Sequence, residues 1–485
     1  MIDSLDLLAG RRPGDRVVFE PAAGGVHSVR ALRRLGAALS GQLHGSGKLL
    51  VLIVTGQSVD AIAAYVECLR LGHSVMLADG RLPQGKLHEM CDLFQPDAVV
   101  IAEVGADGPR IHSAQYHPGA PIGRSAVLLR RVRNAAPPPS APLLLLSTSG
   151  SLGEFRFVCL TATNVASNAS AVAQTLAVGP EDRGALSLSL AHSYGLSILN
   201  SHLMAGGAVV LPGTTPSSRA FWPMFDRARC TTFAGVPETY RILEAVGHPL
   251  PDLPTLRLAT LAGGRMPEAR VIRFAEMLAG RGKELAVMYG QTEATARITC
   301  HRGDEVLRAP RSAGTAIPGS SVAVTGPDGA RCPDAETGEI VLTGPGVMLG
   351  YARARPDLDA LPDRPPPELR TGDLGHLLHD RLYVTGRSAR LAKPLGVRVS
   401  LDEVEEVFAN HGPAAVVVDG DEVITAYVEH APANYRPAYR AVLTAYRLPP
   451  AALRVTRIDA IPRTVTGKIA YAQLYTTRPG QEGQP

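Results

Sequence analysis

The sequence predicts an α/β protein: parallel or mixed sheets covered by helices on both faces, with a β-rich segment and a small α+β module following. Three observations carry this. Short apolar runs alternate with helical patterns through the first three hundred residues. The texture then changes, from about residue 317, to short strands and Gly/Pro turns. Finally, 485 residues exceed the roughly 250–300 at which a single core stops growing, so two or three domains are expected.

Taken in order, residues 16–20 read as a strand and 30–43 as a helix. Residues 49–54, 59–71 and 74–77 then make a strand, helix, strand unit. Residues 98–102 add a strand. A Pro-rich break over 134–142 precedes an apolar strand at 143–146, and 155–160 reads as its return strand. Strands at 208–211, 231–233, 256–261 and 285–288 alternate with helices at 219–229 and 238–245. Strands at 321–324 and 339–342 belong to the β-rich segment. Beyond residue 388 come a helix at 401–409, strands at 414–418 and 423–428, and a helix at 436–446. The last ten residues read as frayed.

Composition narrows the function classes. With 45% hydrophobic and 19% charged residues the chain is neither disordered nor membrane-spanning, and its longest aliphatic runs fall far short of the roughly 20 residues a bilayer requires. Asp3 and Asp6 interrupt a start that lacks a secretory signal pattern, which implies a cytoplasmic protein. The six cysteines are scattered without metal-site spacing and read as buried small hydrophobes. A net charge of +4 with no basic run argues against nucleic acid as a partner. Only 5 lysines stand against 44 arginines, so each lysine is informative.

Four constellations carry chemistry. Ser147-Thr148-Ser149-Gly150-Ser151-Leu152-Gly153 follows the 143–146 strand and offers hydroxyls and unhindered N–H groups to phosphate oxygens, without the spacing of a Walker A loop. It reads equally as an ordinary Ser/Gly turn. Tyr289-Gly290-Gln291-Thr292-Glu293 places a carboxylate where Mg²⁺ could bridge protein and nucleotide. Alone, Glu293 reads as a solvated helix-start carboxylate. Thr371-Gly372-Asp373 and Arg387 suit a ribose diol and nearby oxyanions, or simply a turn and a surface cation. Pro462 to Lys468 is a loop ending in a lysine that could deliver a point charge into a cleft.

In this order and spacing the motifs resemble those of the adenylate-forming superfamily of acyl-CoA synthetases, nonribosomal peptide adenylation domains and luciferase-like enzymes, over nearly the whole chain. The matching stretches are 148–153, 289–293, 371–373, Gly386-Arg387 with Gly396 to Glu405, and 462–468. The resemblance implies a large domain over 1–387, of two α/β subdomains and a β-barrel from about 317, and a small mobile domain over 388–485. It implies ATP and Mg²⁺ as cofactors and formation of an acyl-adenylate and pyrophosphate. Thr148, Ser149, Gly150, Ser151, Gly153 and Arg156 would meet the β,γ-phosphates, Thr292 the α-phosphate, and Glu293 the Mg²⁺. Gly263, Gly264, Tyr289, Gly290 and Gln291 would border the nucleotide, Asp373 and Arg387 would hold the ribose, and Lys468 would bridge the reacting groups.

Three departures are visible: Leu152 replaces a threonine, Arg156 a lysine, and Ala389 the hinge aspartate. The resemblance places the acid beside His192, Ser193, Tyr194, Ser197, Met288 and Arg297. Ser193 stands where amino-acid-activating members carry Asp, which disfavours an α-amino acid, and an inward Arg297 could meet a second anionic group. His192 also reads as a helix-start residue. The likeness to a clade of bacterial specialised metabolism leaves the acceptor open: CoA, a phosphopantetheinyl carrier protein, or an arylamine diazotised with nitrite. A degenerate nucleotide-binding homologue is the non-enzymatic alternative.

Overall fold

A computed structural model describes residues 4–21, 24–43, 47–101, 115–130, 142–147, 155–247, 250–392, 394, 397, 399–419, 423–464 and 468–476. Its architecture is mixed α/β, with two large sheets, a four-stranded antiparallel sheet and a C-terminal three-stranded sheet.

The eight-stranded sheet has a parallel centre of Leu144–Ser147, Ser74–Asp79, Leu50–Thr55 and Ala98–Ile101. All six residues of Leu50–Thr55 are buried, because helices cover both faces and leave no polar side to alternate with. One of these helices, Val59–Leu71, starts on a Ser58 cap to the Asp60 N–H and ends on left-handed Gly72, the two termini its sequence signals. Antiparallel strands, including Phe157–Leu160 and Gly350–Ala352, close the edges.

The nine-stranded sheet runs parallel through Arg183–Ala185, Thr232–Gly235, Leu258–Leu261 and Glu284–Tyr289, with antiparallel Thr299–Arg302 beyond. Arg16–Glu20 joins it on the other side, pairing parallel with Ala208–Val210. An aromatic group of Phe221, Trp222, Phe225, Phe233 and Tyr240 packs one face, with Phe221 and Trp222 edge-to-face at 4.9 Å. The helix Ser193–Met204 starts near the carboxyl ends of these strands, where open α/β sheets form crevices.

The antiparallel sheet joins Ser321–Thr325, Gly338–Thr343, Glu368–Leu378 and Arg381–Arg387. Beyond it, Ala414–Asp419 pairs with Val423–Val428, which pairs parallel with Leu453–Arg457. Strand alternation divides labour here. Ala414 and Val416 face a core with Phe408 and Val442, whereas Ala415 and Val417 face Ile461, Ile469, Tyr471 and Leu474. Next to that second face the Thr464 N–H donates to the Lys468 carbonyl at 2.7 Å and Arg463 bridges to Ile469. Ion pairs Arg265 to Glu406, at 2.9 Å, and Arg463 to Glu238, at 3.7 Å, tie this C-terminal part to the preceding fold.

Most expected elements lie within a few residues of their sequence positions. The helix expected over 219–229 is shorter, Phe221–Arg227, since Thr215 to Ser218 form a turn of their own hydrogen bonds. Five cysteines are buried, but Cys332 is only half-buried because it sits on the turn between two antiparallel strands. Residues 134–141 of the connection read at 134–142, the phosphate loop read at 148–153 and residues 477–485 of the end read as frayed fall outside the described residues, as does Gly396. Among the described residues no helix is long and apolar enough to cross a membrane.

Candidate active site

The cleft is assembled from strand ends and loops of all the sheets. Tyr289 ends the strand Glu284–Tyr289, and its hydroxyl donates to Asp373 Oδ2 at 2.6 Å. Asp373 pairs in register with Arg387, whose Nε donates to the other carboxylate oxygen at 2.9 Å. Burial pushes the Asp373 carboxyl upward, a shift that Arg387 and the Tyr289 hydroxyl only partly offset. The Tyr289 phenol moves well above its usual value, first through burial and then through the Asp373 charge.

After Tyr289 the chain turns sharply. A Cβ at Gly290 would lie 1.9 Å from the Ala296 carbonyl oxygen, so only glycine lets the two segments cross. The turn Thr292–Ala294 follows, and left-handed Thr295 ends it with its hydroxyl donated to the Gly346 carbonyl at 2.7 Å. Glu293 accepts from the Tyr351 hydroxyl at 2.9 Å, and the Arg156 guanidinium lies 4.1 Å from that ring's centre. Tyr351 was not singled out in the sequence; its position after Gly350 in a short edge strand carries no motif. Thr292 Oγ1 lies 3.2 Å from Ser193 Oγ, joining this turn to the start of the helix Ser193–Met204.

Lys468 reaches the same cleft. It keeps solvent contact, yet crowding pushes its ammonium below the ordinary lysine range, first through desolvation and then through Arg387, against the pull of Glu293 and Asp373. His192 feels the Lys468 charge as well, and is lowered first by burial. As the first residue before its helix His192 makes no side-chain cap; instead its Nε2 stands 4.0 Å from Asp79 and without a hydrogen bond. Asp79 is fixed by Arg81 at 2.8 and 2.9 Å, and these bonds overcome burial to hold its carboxyl below the usual range. Asp79 and Arg81 were missed in the sequence, although an acid closing an apolar parallel strand is the signal that could have found them.

Beneath Ser193, the Tyr194 hydroxyl is 2.7 Å from Thr260 Oγ1 and 3.1 Å from the Thr260 carbonyl. Arg297 lies over the Tyr194 ring at 4.0 Å and is only 4% exposed. Tyr194, Ser197, Met288 and Arg297 line one recess, and Ser197 donates to the Tyr194 carbonyl at 2.8 Å. Gly263, at φ +84°, lies beside Tyr194, and a Cβ there would press at 3.3 Å on Val236; a Cβ on Gly264 would press at 3.3 Å on Pro237.

The structure therefore brings Tyr289, Gly290, Thr292, Glu293, Asp373, Arg387, Lys468, His192 and Ser193 to one cleft, with Arg156 at its Glu293 side. Thr148, Ser149, Gly150, Ser151 and Gly153 are outside the described residues, although Ser147 and Phe157 on either side pair antiparallel, as strands of a hairpin do. Gln291 carries a shielded Nε2 with no hydrogen-bond partner. No group of three His, Cys, Asp or Glu side chains able to hold a metal exists among the described residues. A Mg²⁺ ion at Glu293 would therefore draw its remaining ligands from other oxygens, such as those of a nucleotide and of water.

Comparison with known proteins matches this arrangement to a family. Residues 28–352 match the AMP-binding enzyme family. A sulfoacetate–CoA ligase of Cupriavidus necator is 31% identical over 320 residues, 64% of this chain and 60% of that ligase. An L-proline–[L-prolyl-carrier protein] ligase of Pseudomonas fluorescens is 28% identical over 457 residues, covering 86% and 87% of the two chains. In fold, o-succinylbenzoate CoA synthetase from Bacillus subtilis, solved with its acyl-adenylate intermediate, superposes over 97% of both chains with a TM-score of 0.75 at 21% identity. The chain belongs to the AMP-binding enzyme family, and with it to the adenylate-forming superfamily of AMP-forming ligases.

Proposed function

We propose that the protein activates a carboxylic acid with ATP and passes the acyl group to a thiol, of CoA or of a carrier protein. The observation that carries this reading is Lys468. A lysine from the C-terminal module, in a chain with five, shares a cleft with Glu293, Asp373 and Arg387.

In the first step a carboxylate oxygen attacks the α-phosphorus of ATP, and the bond to the bridging oxygen breaks to release pyrophosphate. Asp373, oriented by Tyr289 and Arg387, accepts hydrogen bonds from the ribose hydroxyls. The Thr292 hydroxyl exchanges its contact with Ser193 for an α-phosphate oxygen. The Lys468 ammonium stabilises charge that concentrates between carboxylate and phosphate as the new bond forms. The 148–153 loop and Arg156 take the outer phosphates. Glu293 would hold Mg²⁺ together with phosphate oxygens, and the ion would supply charge neutralisation for the leaving pyrophosphate.

In the second step a thiolate attacks the acyl carbon and AMP leaves. The chain divides for this purpose at 387–388, and a turn of the 388–485 module withdraws Lys468 and opens the cleft. Arg390, bonded to Asp402 and Glu405 and stacked at 3.9 Å on Tyr471, keeps that module a unit. A cytoplasmic setting supplies ATP and CoA and suits six unpaired cysteines.

Pyrophosphate release with a panel of acids, compared between the wild type and Lys468→Ala, tests the first step. Mass spectrometry with CoA, a phosphopantetheinylated carrier, or an arylamine plus nitrite identifies the acceptor. Acid-dependent release that Lys468→Ala abolishes supports the reading; no release with any carboxylic acid overturns it, and release with nitrite alone assigns the diazotisation alternative.

A further inference from the structure

The relatives leave the acid open: one is named for sulfoacetate, which bears a second anion, and another for L-proline, which does not. The recess of this chain is more specific. Arg297 is 4% exposed, and no carboxylate pairs with it among the described residues. Among the described residues the guanidinium makes one polar contact, a long one of 3.4 Å from Nη1 to the Ala296 carbonyl, and its Nε is shielded from solvent without a partner. The groups that act on its charge are Tyr194 and Cys300, and burial holds both in their neutral forms.

The guanidinium therefore sits in the wall of a narrow, largely apolar recess, with no counter-ion among the described residues. The polar lining adds no negative charge. His202 donates from Nδ1 to the Ile198 carbonyl and accepts at Nε2 from the Thr232 hydroxyl, and burial lowers its pKa to about 4, so it stays neutral. Stacking on Tyr194 offsets only part of what desolvating the ion costs. The remainder is recovered when an oxyanion enters, through charge-assisted and potentially bidentate hydrogen bonds.

We infer that Arg297 selects the substrate: a short carboxylic acid carrying a second oxyanion, a carboxylate or a sulfonate, at its far end. The reacting carboxylate lies at Ser193 and Thr292, and the distal anion meets Arg297 past the Tyr194 ring. This rests on the acid-activating reading above and names its substrate class. Leu258, Val172 and Met288 give the recess its apolar wall.

The test pairs malonate, succinate and sulfoacetate with propionate and butyrate, in the wild type, Arg297→Met and Arg297→Lys. Wild type is expected to release pyrophosphate with a two-anion acid at least 100-fold more efficiently, in kcat/KM, than with the chain-matched neutral-tailed acid. Arg297→Met is expected to erase that preference with the KM for ATP unchanged and thermal stability equal or higher; Arg297→Lys is expected to restore part of it. Thermal stabilisation by the same diacids, read without turnover, supplies a second measurement. If neutral-tailed acids are preferred, or the preference survives Arg297→Met, the inference fails while acid activation stands. If no acid is activated, the ligase reading fails, and diacid stabilisation of wild type but not Arg297→Met would still uphold the anion site; its absence overturns that too.

Discussion

Tyr289 and Asp373 lie 84 residues apart, yet the phenol of one donates to the carboxylate of the other at 2.6 Å, with Arg387 holding the second oxygen. The bond joins the nine-stranded sheet to the antiparallel sheet, so the same contact that shapes the cleft also couples two layers of the fold.

Asp373 costs the empty protein stability. Its carboxyl is raised by burial, so the folded state binds a proton more tightly than the unfolded chain does. Its contribution is therefore fully present below the unfolded carboxyl pKa and is lost as pH rises through the higher folded value. Asp373→Asn is expected to leave the melting temperature at pH 7 unchanged or higher while weakening ATP binding at least tenfold. Calorimetric titration with ATP, beside thermal melts at pH 5 and 7, checks both halves.

Lys468 is expected to impose an alkaline limb. Desolvation and Arg387 lower its pKa, so the ammonium is lost at a lower pH than for an ordinary lysine. The rate of pyrophosphate release should decline as pH rises through that lowered value. Lys468→Arg, whose charge persists, should flatten the limb even if its rate is reduced. Lys468→Ala should lower kcat on the order of 100-fold or more. An unchanged alkaline limb in Lys468→Arg would assign it to another group.

Tyr351 orients Glu293 through one hydrogen bond at 2.9 Å. Tyr351→Phe removes that donor and retains the ring on which Arg156 stacks. The cost is about 1 kcal/mol, or about fivefold, in the Mg²⁺ concentration needed for half-maximal activity. Titrating Mg²⁺ at saturating ATP measures it. An equal loss at all Mg²⁺ concentrations would place Tyr351 outside metal positioning.

Gly290 is fixed by sterics. An alanine there drives its Cβ into the backbone of Ala296 and Arg297, which cannot move like the end of a flexible side chain. Gly290→Ala is expected to destabilise by about 1–3 kcal/mol and to reduce activity through displacement of Glu293 and Arg297. Thermal melts and pyrophosphate release should fall together.

Much of the fold was legible because hydrophobic period and turn chemistry are local. The helix Val59–Leu71 announces itself by Ser58 and Gly72, and the helix Leu401–Ala409 by Ser400 and its buried Leu401, Val404 and Phe408. The boundary of Phe221–Arg227 was less legible, since Ser217 and Ser218 satisfy the backbone in a turn instead. Tyr351 was invisible as a site residue, because a side chain without a motif acquires a role only from its neighbours in space, whereas Asp79 carried the signal of an acid closing an apolar parallel strand.

By itself the sequence determined the alternation of strands and helices, the order of the motifs, the scarcity of lysine and the family they indicate, all of which depend on spacing along the chain. Tertiary structure alone decided that Arg297 faces inward, that no carboxylate among the described residues meets it, and that Lys468 comes to Glu293 and Asp373. Burial and the distance between charges are properties of chain segments brought together, and no local pattern of residues encodes them.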